Sequence, residues 1–342
     1  MTRVPAFVGL DYHTRSVQVC VVDQSGTVLV NRRCGNSVAE IAAAVPPGAG
    51  VERAAIESCC GAMDLAEALR AEAGWPLTLA HAGYVSRMKH NPDKSDYTDA
   101  RMLAELSRAG FVPPVWPAPP RIRELRTLIR LRADLVYRVR AIKTRVLGVL
   151  RAQRIVEPER PGRWTRAWMA WLESAEAVSE AGRFVIRTHL AEMRWLGERV
   201  RETETLLGTR TASDPMYDRL VEQPGVGKVT AWTMLALIGD FSRFRSGKQL
   251  SRFCAVTPRN ASSGQRVADG GLIRAGDPLL KSVLVEAGHR LRRLDPRWMS
   301  FSRRLEERGK PVSVIVAAIA NRWVRWLYHQ MKHVSCGRPA AA

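Results

Sequence analysis

Four carboxylates stand where they could bind metal ions together. Asp11 and Glu57 each end a short apolar run of strand-like sequence. Asp96 and Asp99 are three residues apart in a helical pattern, and this spacing places both on one face of a helix. Such a set can hold two divalent ions that activate an attacking oxygen and stabilise a leaving one. The four acids therefore predict metal-assisted phosphodiester chemistry.

The overall charge supports a nucleic-acid partner. The 342 residues include 53 Lys and Arg against 33 Asp and Glu, a formal net charge of +20. A balance this basic is typical of chains that bind DNA or RNA. The longest apolar stretch, Val312 to Ala320, is far short of the ~20 residues of a membrane span, and no secretory signal follows Met1. We expect a cytoplasmic protein with no membrane association.

The cysteines indicate a reduced compartment and no zinc site. Their spacing matches neither a zinc pattern nor a disulfide framework. Any metal is therefore expected to have oxygen ligands. The six are Cys20, Cys34, Cys59, Cys60, Cys254 and Cys336.

The first part of the chain, residues 1–112, reads as an α/β domain. Three strand candidates are separated by turn signals, and helical and strand-like segments then alternate. This order predicts a mixed sheet. The strand candidates are Phe7–Leu10, Val17–Val22, Thr27–Val30, Val51–Glu57 and Pro76–Ala80, with a helix around Ala39–Ala44 before the fourth.

Residues 113–213 read as a proline-rich linker followed by a basic coiled coil. Arg121–Arg151 forms one long helical pattern, and Phe184–Leu207 could return alongside it. The basic residues of the first helix are either a solvated face or a path along phosphates. The predicted seam is Leu135, Val139, Ile142, Val146 and Val149. The candidate phosphate contacts are Arg130, Arg138, Lys143 and Arg145.

Residues 214–342 read as a mainly α-helical domain with a glycine-containing turn before the helix Val229–Ile238. Gly225 and Gly227 would let backbone N–H groups approach a phosphate, and Lys228 would add attraction. The spacing is not that of a Walker loop and looks like a helix-hairpin-helix element, which grips a DNA backbone. The same glycines also serve in plain turns.

A second polar loop of this domain contains Ser262 and Ser263. Three basic residues surround the serines, and the helix Pro278–Leu291 follows. From chemistry alone such a loop is ordinarily a flexible turn. The basic residues are Arg259, Arg266 and Arg274, which could neutralise charge on a phosphate.

The order of these motifs resembles a known family. Gly9-Leu10-Asp11-Tyr12-His13, Ala55-Ile56-Glu57-Ser58, Lys94 to Ala104, Pro224 to Gly227 and Thr257 to Asp277 match the DEDD transposases of bacterial insertion sequences. This group is also called the bridge-RNA-guided serine recombinases. The resemblance spans nearly the whole chain in the right order and spacing.

The resemblance implies a fold, an activity and partners. The N-terminal domain would have the RNase H-like fold of Holliday-junction resolvases, with Asp11, Glu57, Asp96 and Asp99 binding magnesium or manganese. Ser263 of the C-terminal transposase domain would be the nucleophile, because the family's serine directly precedes a glycine. A structured non-coding guide RNA would pair with the element ends and the target DNA. A dimer or tetramer would bring two active sites together.

Two other functions stay open. One is a metal-dependent junction-resolving nuclease in which Ser263 is only a loop residue, and the other is a non-catalytic nucleic-acid-binding protein. The sequence alone does not distinguish Ser262 from Ser263. Glu57 precedes Ser58-Cys59-Cys60, where the family has a Thr-Gly-aromatic sequence. Among the histidines, His13 is expected to lie nearest the metal site.

Overall fold

The protein divides into two compact units. A computed structural model describes residues 4–88, 95–260 and 269–334. The N-terminal unit is Met1–Pro117 and the C-terminal unit is Ala118–Ala342. The long basic helix and the segment from residue 214 onward both belong to the C-terminal unit. The predicted boundary between residues 213 and 214 stays a prediction.

The N-terminal unit is built on a mixed five-stranded sheet, as the sequence predicted. Its strand order is β3-β2-β1-β4-β5. The first three strands pair antiparallel, whereas β1, β4 and β5 run parallel to one another. The strands are β1 (Val4–Tyr12), β2 (Ser16–Val22), β3 (Val28–Gly35), β4 (Ala49–Glu57) and β5 (Leu77–Ala80).

Helices cover this sheet because its central strands are buried on both faces. Val8 and Leu10 of β1 belong to the main core, whereas Phe7 lies in a second cluster with Ala100 and Ala104 of the last helix. Successive side chains of a strand point to opposite faces, so the uninterrupted apolar run needs cover on both. The helices are α1 (Val38–Ala42), α2 (Ala62–Glu72), α3 (Ala82–Met88) and α4 (Asp96–Ala109).

The C-terminal unit is mainly helical. Its one short hairpin among the described residues pairs β6 (Pro258–Asn260) with β7 (Asp269–Leu272). None of the described helices has both the length and the apolarity to cross a bilayer. The helices are α5 (Pro120–Ala152), α6 (Arg166–Ser174), α7 (Glu180–Thr211), α8 (Pro215–Val221), α9 (Lys228–Ile238), α10 (Gly247–Phe253), α11 (Pro278–Leu294), α12 (Pro296–Glu306) and α13 (Val312–Met331).

The long helices α5 and α7 pack against each other through one apolar cluster. Leu135, Ile142 and Val146 of the predicted seam are buried in it, Val139 and Val149 are half-buried and pack against it, and Leu150 is an additional buried member. The pairing is therefore observed, whereas a supercoil stays a prediction.

Candidate functional site

Sheet register places the ends of β1 and β4 side by side. These strands are parallel neighbours in which Leu10 pairs with Ile56. Asp11 and Glu57 are the next residue on each strand, so both carboxylates project from the same edge of the sheet. The carboxyl ends of parallel strands are where open α/β sheets place their ligands.

A glycine brings the helix with the other two acids onto β1. A Cβ built on Gly9 would lie 2.0 Å from the backbone oxygen of Ala100 and 2.3 Å from the nitrogen of Ala104. Helix α4 therefore touches the strand backbone at this point, two residues before Asp11. Ser95 caps the helix by accepting a hydrogen bond from the Thr98 N–H at 3.2 Å. These contacts fix the first turn of α4, which contains Asp96 and Asp99.

His13 bridges two of the four acids. Its Nε2 atom lies 3.5 Å from Asp11 Oδ2 and 3.2 Å from Asp96 Oδ2. One ligand atom from each of these residues lies within 4.8 Å of the others, a separation at which a single ion could bind all three. Arg33 approaches the same Asp96 oxygen at 3.9 Å.

Burial, His13 and three neighbouring acids all change the pKa of Asp11. Burial raises the pKa of the Asp11 carboxyl, His13 lowers it, and the charges of Asp96, Asp99 and Glu57 each raise it again. The added negative charge of three neighbours makes ionised Asp11 costly without a cation. A divalent ion removes that cost, and carboxylate oxygens are ligands that Mg²⁺ and Mn²⁺ favour. The residues therefore fit a metal centre.

The four predicted acids lie at one edge of the sheet, but only two of them are in the close group around His13. Asp11 and Asp96 meet at His13, whereas Glu57 and Asp99 lie outside this trio. Asp99 is buried, with 7 % of its surface exposed. His13 was predicted to lie near the site, with no role assigned to it. Its position two residues after Asp11, beyond the end of the apolar run, was the signal for a residue at the sheet edge.

The serine loop is anchored at both ends. Ser262, Ser263 and Arg266 lie outside the described residues, and their roles stay predictions. On the flanks, Asn260 pairs with Asp269, and the Ile273 N–H donates to the Thr257 carbonyl at 3.0 Å.

Side-chain hydrogen bonds also tie this region to α13. The Asn321 amide donates to the Val256 carbonyl at 3.2 Å and to Thr257 Oγ1 at 3.3 Å. Arg259 and Arg274, the two predicted basic residues that are described, are both exposed, one before and one after the serines in the sequence.

The glycine turn before α9 forms a helix N-terminus beside basic side chains. Gly225 has a φ of +79°, and a Cβ there would press on Leu291, so this glycine is also needed for packing. Gly227 is the N-cap of α9 and leaves the first N–H groups without a side-chain cap. Lys228 and Arg290 line the adjoining cavity of about 270 Å³, together with Glu204.

Other elements supply part of the charge balance of α5. Arg130 pairs with Asp277 at 2.9 Å, and Arg138 approaches Glu192 of α7 at 3.8 Å. The Lys143 ammonium lies 5.0 Å from the centre of the Trp164 ring, and Arg145 is exposed. These contacts relieve part of the repulsion among the basic residues of α5 within the protein itself. Phosphates are therefore not required to balance all of its charge.

Comparison with known families finds two matches. Residues 8–154 match a DEDD-type model of the IS110 group that is described as a transposase. Residues 217–303 match a model described as "Transposase IS116/IS110/IS902 family". The first match includes all four carboxylates, and the second includes the α9 turn and the serine loop.

Curated relatives extend this similarity along the chain. A probable family 20 transposase of Pseudomonas aeruginosa is 26% identical over 97% of this chain and 98% of its own length. The transposase for insertion sequence element IS1111A of Coxiella burnetii is 24% identical over 96% of this chain and 91% of its own. The pilin gene-inverting protein of Moraxella lacunata is 32% identical over 29% of this chain and 31% of its own length.

Proposed function

Because this chain belongs to the IS110/IS116 family of insertion-sequence transposases, we propose that it is an RNA-guided recombinase that cleaves and exchanges DNA strands with a serine nucleophile and divalent metal. The transposase function in insertion-sequence movement follows from the family. The metal, the serine and the guide RNA are the parts that experiment must test.

The convergence of Asp11, Glu57, Asp96 and Asp99 supports the metal-dependent part most strongly. Asp11 and Asp96 meet through His13, and the other two acids are close enough for their charges to raise the pKa of Asp11. These four residues would hold magnesium or manganese, as in an RNase H-like site. Bound metal supplies stabilisation of negative charge on the attacking and leaving oxygens.

Ser263 is the proposed nucleophile. Its Oγ would attack the phosphorus of a DNA phosphodiester, forming a phosphoserine bond as the bond to the leaving sugar oxygen breaks. The hydroxyl proton leaves Oγ, and the released sugar oxygen takes up a proton. A second sugar hydroxyl then attacks the phosphorus and gives up its proton, the bond from phosphorus to Ser263 Oγ breaks, and Oγ takes up a proton, so the total number of phosphodiester bonds is conserved. Arg259, Arg266 and Arg274 would neutralise charge on the phosphate.

Two features of the C-terminal unit support nucleic-acid binding. The α9 N-terminus, with Gly225, Gly227 and Lys228, presents backbone donors of the kind that hold phosphates. Arg145 is exposed on α5, next along the helix from Arg130, Arg138 and Lys143. We propose that these surfaces contact the element ends, the target DNA and the guide RNA, and that a dimer or tetramer performs strand exchange.

An SDS-resistant protein–DNA adduct assay tests this proposal. It uses labelled element-end DNA, magnesium, and the non-coding RNA that flanks the element. Wild type is compared with Ser263→Ala, Asp11→Ala and the matched control Ser262→Ala. We expect an adduct with wild type and Ser262→Ala and none with the other two. Omitting the RNA should also prevent the adduct.

Other outcomes identify the competing functions. Cleavage that needs Asp11 but survives Ser263→Ala, with no adduct, indicates a junction-resolving nuclease. Tight binding without cleavage under all conditions indicates a non-catalytic binding protein. An adduct lost in Ser262→Ala but retained in Ser263→Ala moves the nucleophile by one residue.

A further inference from the structure

A second basic site lies between α12 and α13, away from the glycine turn and the serine loop in sequence. The two helices enclose an open cavity of about 550 Å³. Arginines and aromatic rings line it. The lining side chains are Arg297, Trp298, Phe301, Arg304, Arg322, Arg325, Trp326 and His329.

The spacing on each helix explains why these residues share one cavity. On α13, Arg322, Trp326 and His329 follow each other at steps of four and three, which keeps them on one face. On α12, Arg297, Phe301 and Arg304 have the same spacing. The opposite face of α13 is apolar and buried, including Trp323 and Leu327. The cavity-lining face is thus separate from the face that stabilises the fold.

Among the described residues, the side chains that line the cavity are arginines and rings. Its four arginines and His329 are exposed, and no carboxylate of the described part of the chain lines it. None of the four arginines forms an ion pair with a carboxylate of the described residues. The neighbouring Arg292 differs, because it pairs with Glu306 at 3.2 Å. Several like charges without counter-ions favour an anionic ligand.

The arginines are already arranged around aromatic rings. The Arg322 guanidinium lies 4.6 Å from the centre of the Phe301 ring, and Arg304 lies 5.9 Å from the same ring. Arg297 lies 5.0 Å from Trp298 and 6.0 Å from Trp326. Stacking limits the freedom of a guanidinium while its N–H donors stay available to an anion. Phe301 and Trp326 are only half-buried.

This combination suits one kind of anion. Arginine forks match phosphate oxygens in pairs, and a half-buried aromatic ring offers a flat surface to an unpaired base. We propose that this cavity binds an unpaired nucleotide of single-stranded nucleic acid, with the arginines on the phosphate and Trp326 stacked on the base. The proposal rests on the proposed function only in taking nucleic acid as the partner. It requires neither the metal centre nor the serine.

The test measures binding of full-length protein to a fluorescent single-stranded oligonucleotide of about 10 nucleotides, within the range that single-strand-binding modules occupy. The buffer contains no divalent metal, so failure of the metal chemistry cannot affect the result. RNA and DNA strands of the same sequence are separate arms, and a duplex is a third. Polyglutamate serves as an acidic polypeptide competitor.

Matched variants separate the cavity from general charge. Arg322→Ala combined with Arg325→Ala is compared with Arg303→Ala combined with Arg308→Ala, a pair of exposed arginines outside the cavity. Trp326→Leu is compared with Trp195→Leu, because Trp195 is half exposed and also has an arginine, Arg199, 5.7 Å from its ring. Circular dichroism checks that each variant folds.

We expect the Arg322/Arg325 variant and Trp326→Leu each to weaken single-strand binding about tenfold, since one stacked base or charged contact is worth roughly that factor. The arginine variant should also reduce the salt dependence of binding by roughly 0.7 per phosphate contact. Both control variants should bind nearly as wild type does. A preference between the RNA and DNA arms identifies which strand the cavity takes.

Three results would overturn the proposal. Equal loss in the cavity and control arginine variants would show general electrostatic attraction. Unchanged binding of Trp326→Leu, with the duplex bound as tightly as the single strand, would show that no unpaired base stacks on Trp326. Displacement of the oligonucleotide by polyglutamate at equal charge would show an unselective anion surface. If the adduct assay shows no metal-dependent cleavage while the binding results are as expected, the recombinase function is rejected and the nucleotide-binding cavity is retained.

Discussion

The two units of the protein differ in charge far more than their sizes suggest. Residues 1–117 contain 11 Lys and Arg against 12 Asp and Glu, whereas residues 118–342 contain 42 against 21. The net positive charge of the chain therefore comes entirely from the C-terminal unit. The N-terminal unit gathers negative charge at one sheet edge, where burial and, to a lesser extent, the neighbouring acids raise the pKa of Asp11.

This difference indicates a division of labour. A nearly neutral unit can hold metal ions in a cluster of acids without a strong field around it. A basic unit attracts polyanions over its whole surface. In the proposal above, selection of an unpaired nucleotide comes from a local site, the α12–α13 cavity. Substitutions in the N-terminal unit should therefore change cleavage and metal affinity, whereas substitutions in the C-terminal unit should change nucleic-acid affinity.

The largest expected effect is the loss of strand cleavage in Asp11→Asn. The amide cannot supply a negative ligand, so cleavage should fall on the order of 10³-fold or more, as it does when one member of a catalytic group is removed. DNA affinity, which the basic unit dominates, should stay unchanged. Gel-based cleavage and fluorescence anisotropy measure the two quantities on the same preparation.

Asp23→Asn is the matched control for that experiment. This substitution removes the same charge from the same unit. The Asp23 carboxylate, however, accepts hydrogen bonds from the Ser25 and Thr27 N–H groups in the turn between β2 and β3. Cleavage should survive this change. A large loss of DNA affinity in Asp11→Asn would contradict the separation, because it would place DNA binding at the metal centre.

The acidic residues at the sheet edge could be predicted from the sequence, because the position of each strand follows from a local apolar run. Apolar runs that end in Asp11 and Glu57 imply strands, and parallel pairing aligns their ends. The role of Gly9 could not be predicted, since its contact is with Ala100 and Ala104, about ninety positions further along the chain. Only tertiary packing reveals that a side chain has no room there.

The basic half was harder to interpret because charge alone has no direction. No local pattern indicated that Arg130 would pair with Asp277, or that Leu150 would be buried beside Val149 in the contact of α5 with α7. The α12–α13 cavity needs two helices to be seen together. Trp323 and Trp326 are only three residues apart on α13, yet Trp323 is buried and Trp326 is half-buried at the cavity.

The second-largest effect should follow Gly9→Ala. The added methyl group would meet backbone atoms of α4, which cannot rotate away, so α4 must shift off β1. We expect the N-terminal unit to lose about 3 kcal/mol of stability, at the upper end for overpacking. Metal affinity should fall too, because Asp96 and Asp99 move with the helix. Calorimetric unfolding and magnesium titration measure both, and an unchanged unfolding temperature would show that α4 does not lie against Gly9.

Two serine caps give a smaller and more selective test. Ser95 caps α4, and Ser246 caps α10 by accepting from the Gln249 N–H at 3.3 Å. Loss of either cap should cost about 1 kcal/mol. Only Ser95→Ala should also reduce the stabilisation that magnesium gives, because only α4 holds metal-site acids. Thermal unfolding with and without magnesium measures this difference, and an equal reduction in Ser246→Ala would mean that the metal effect is not local to the N-terminal unit.

The smallest expected effect has the opposite sign and uses the same substitution as at Gly9. Gly148 is exposed within α5, and a Cβ there would meet nothing within 4 Å. Gly148→Ala should stabilise the C-terminal unit by about 0.5–1 kcal/mol, since alanine restricts the unfolded chain and favours the helix. Chemical denaturation measures the gain. DNA affinity of the same variant tests how the exposed face of α5 meets nucleic acid. We expect unchanged affinity, because Arg145 would reach the phosphate past position 148. A loss of affinity would mean that the backbone at Gly148 approaches nucleic acid closely enough to exclude a methyl group.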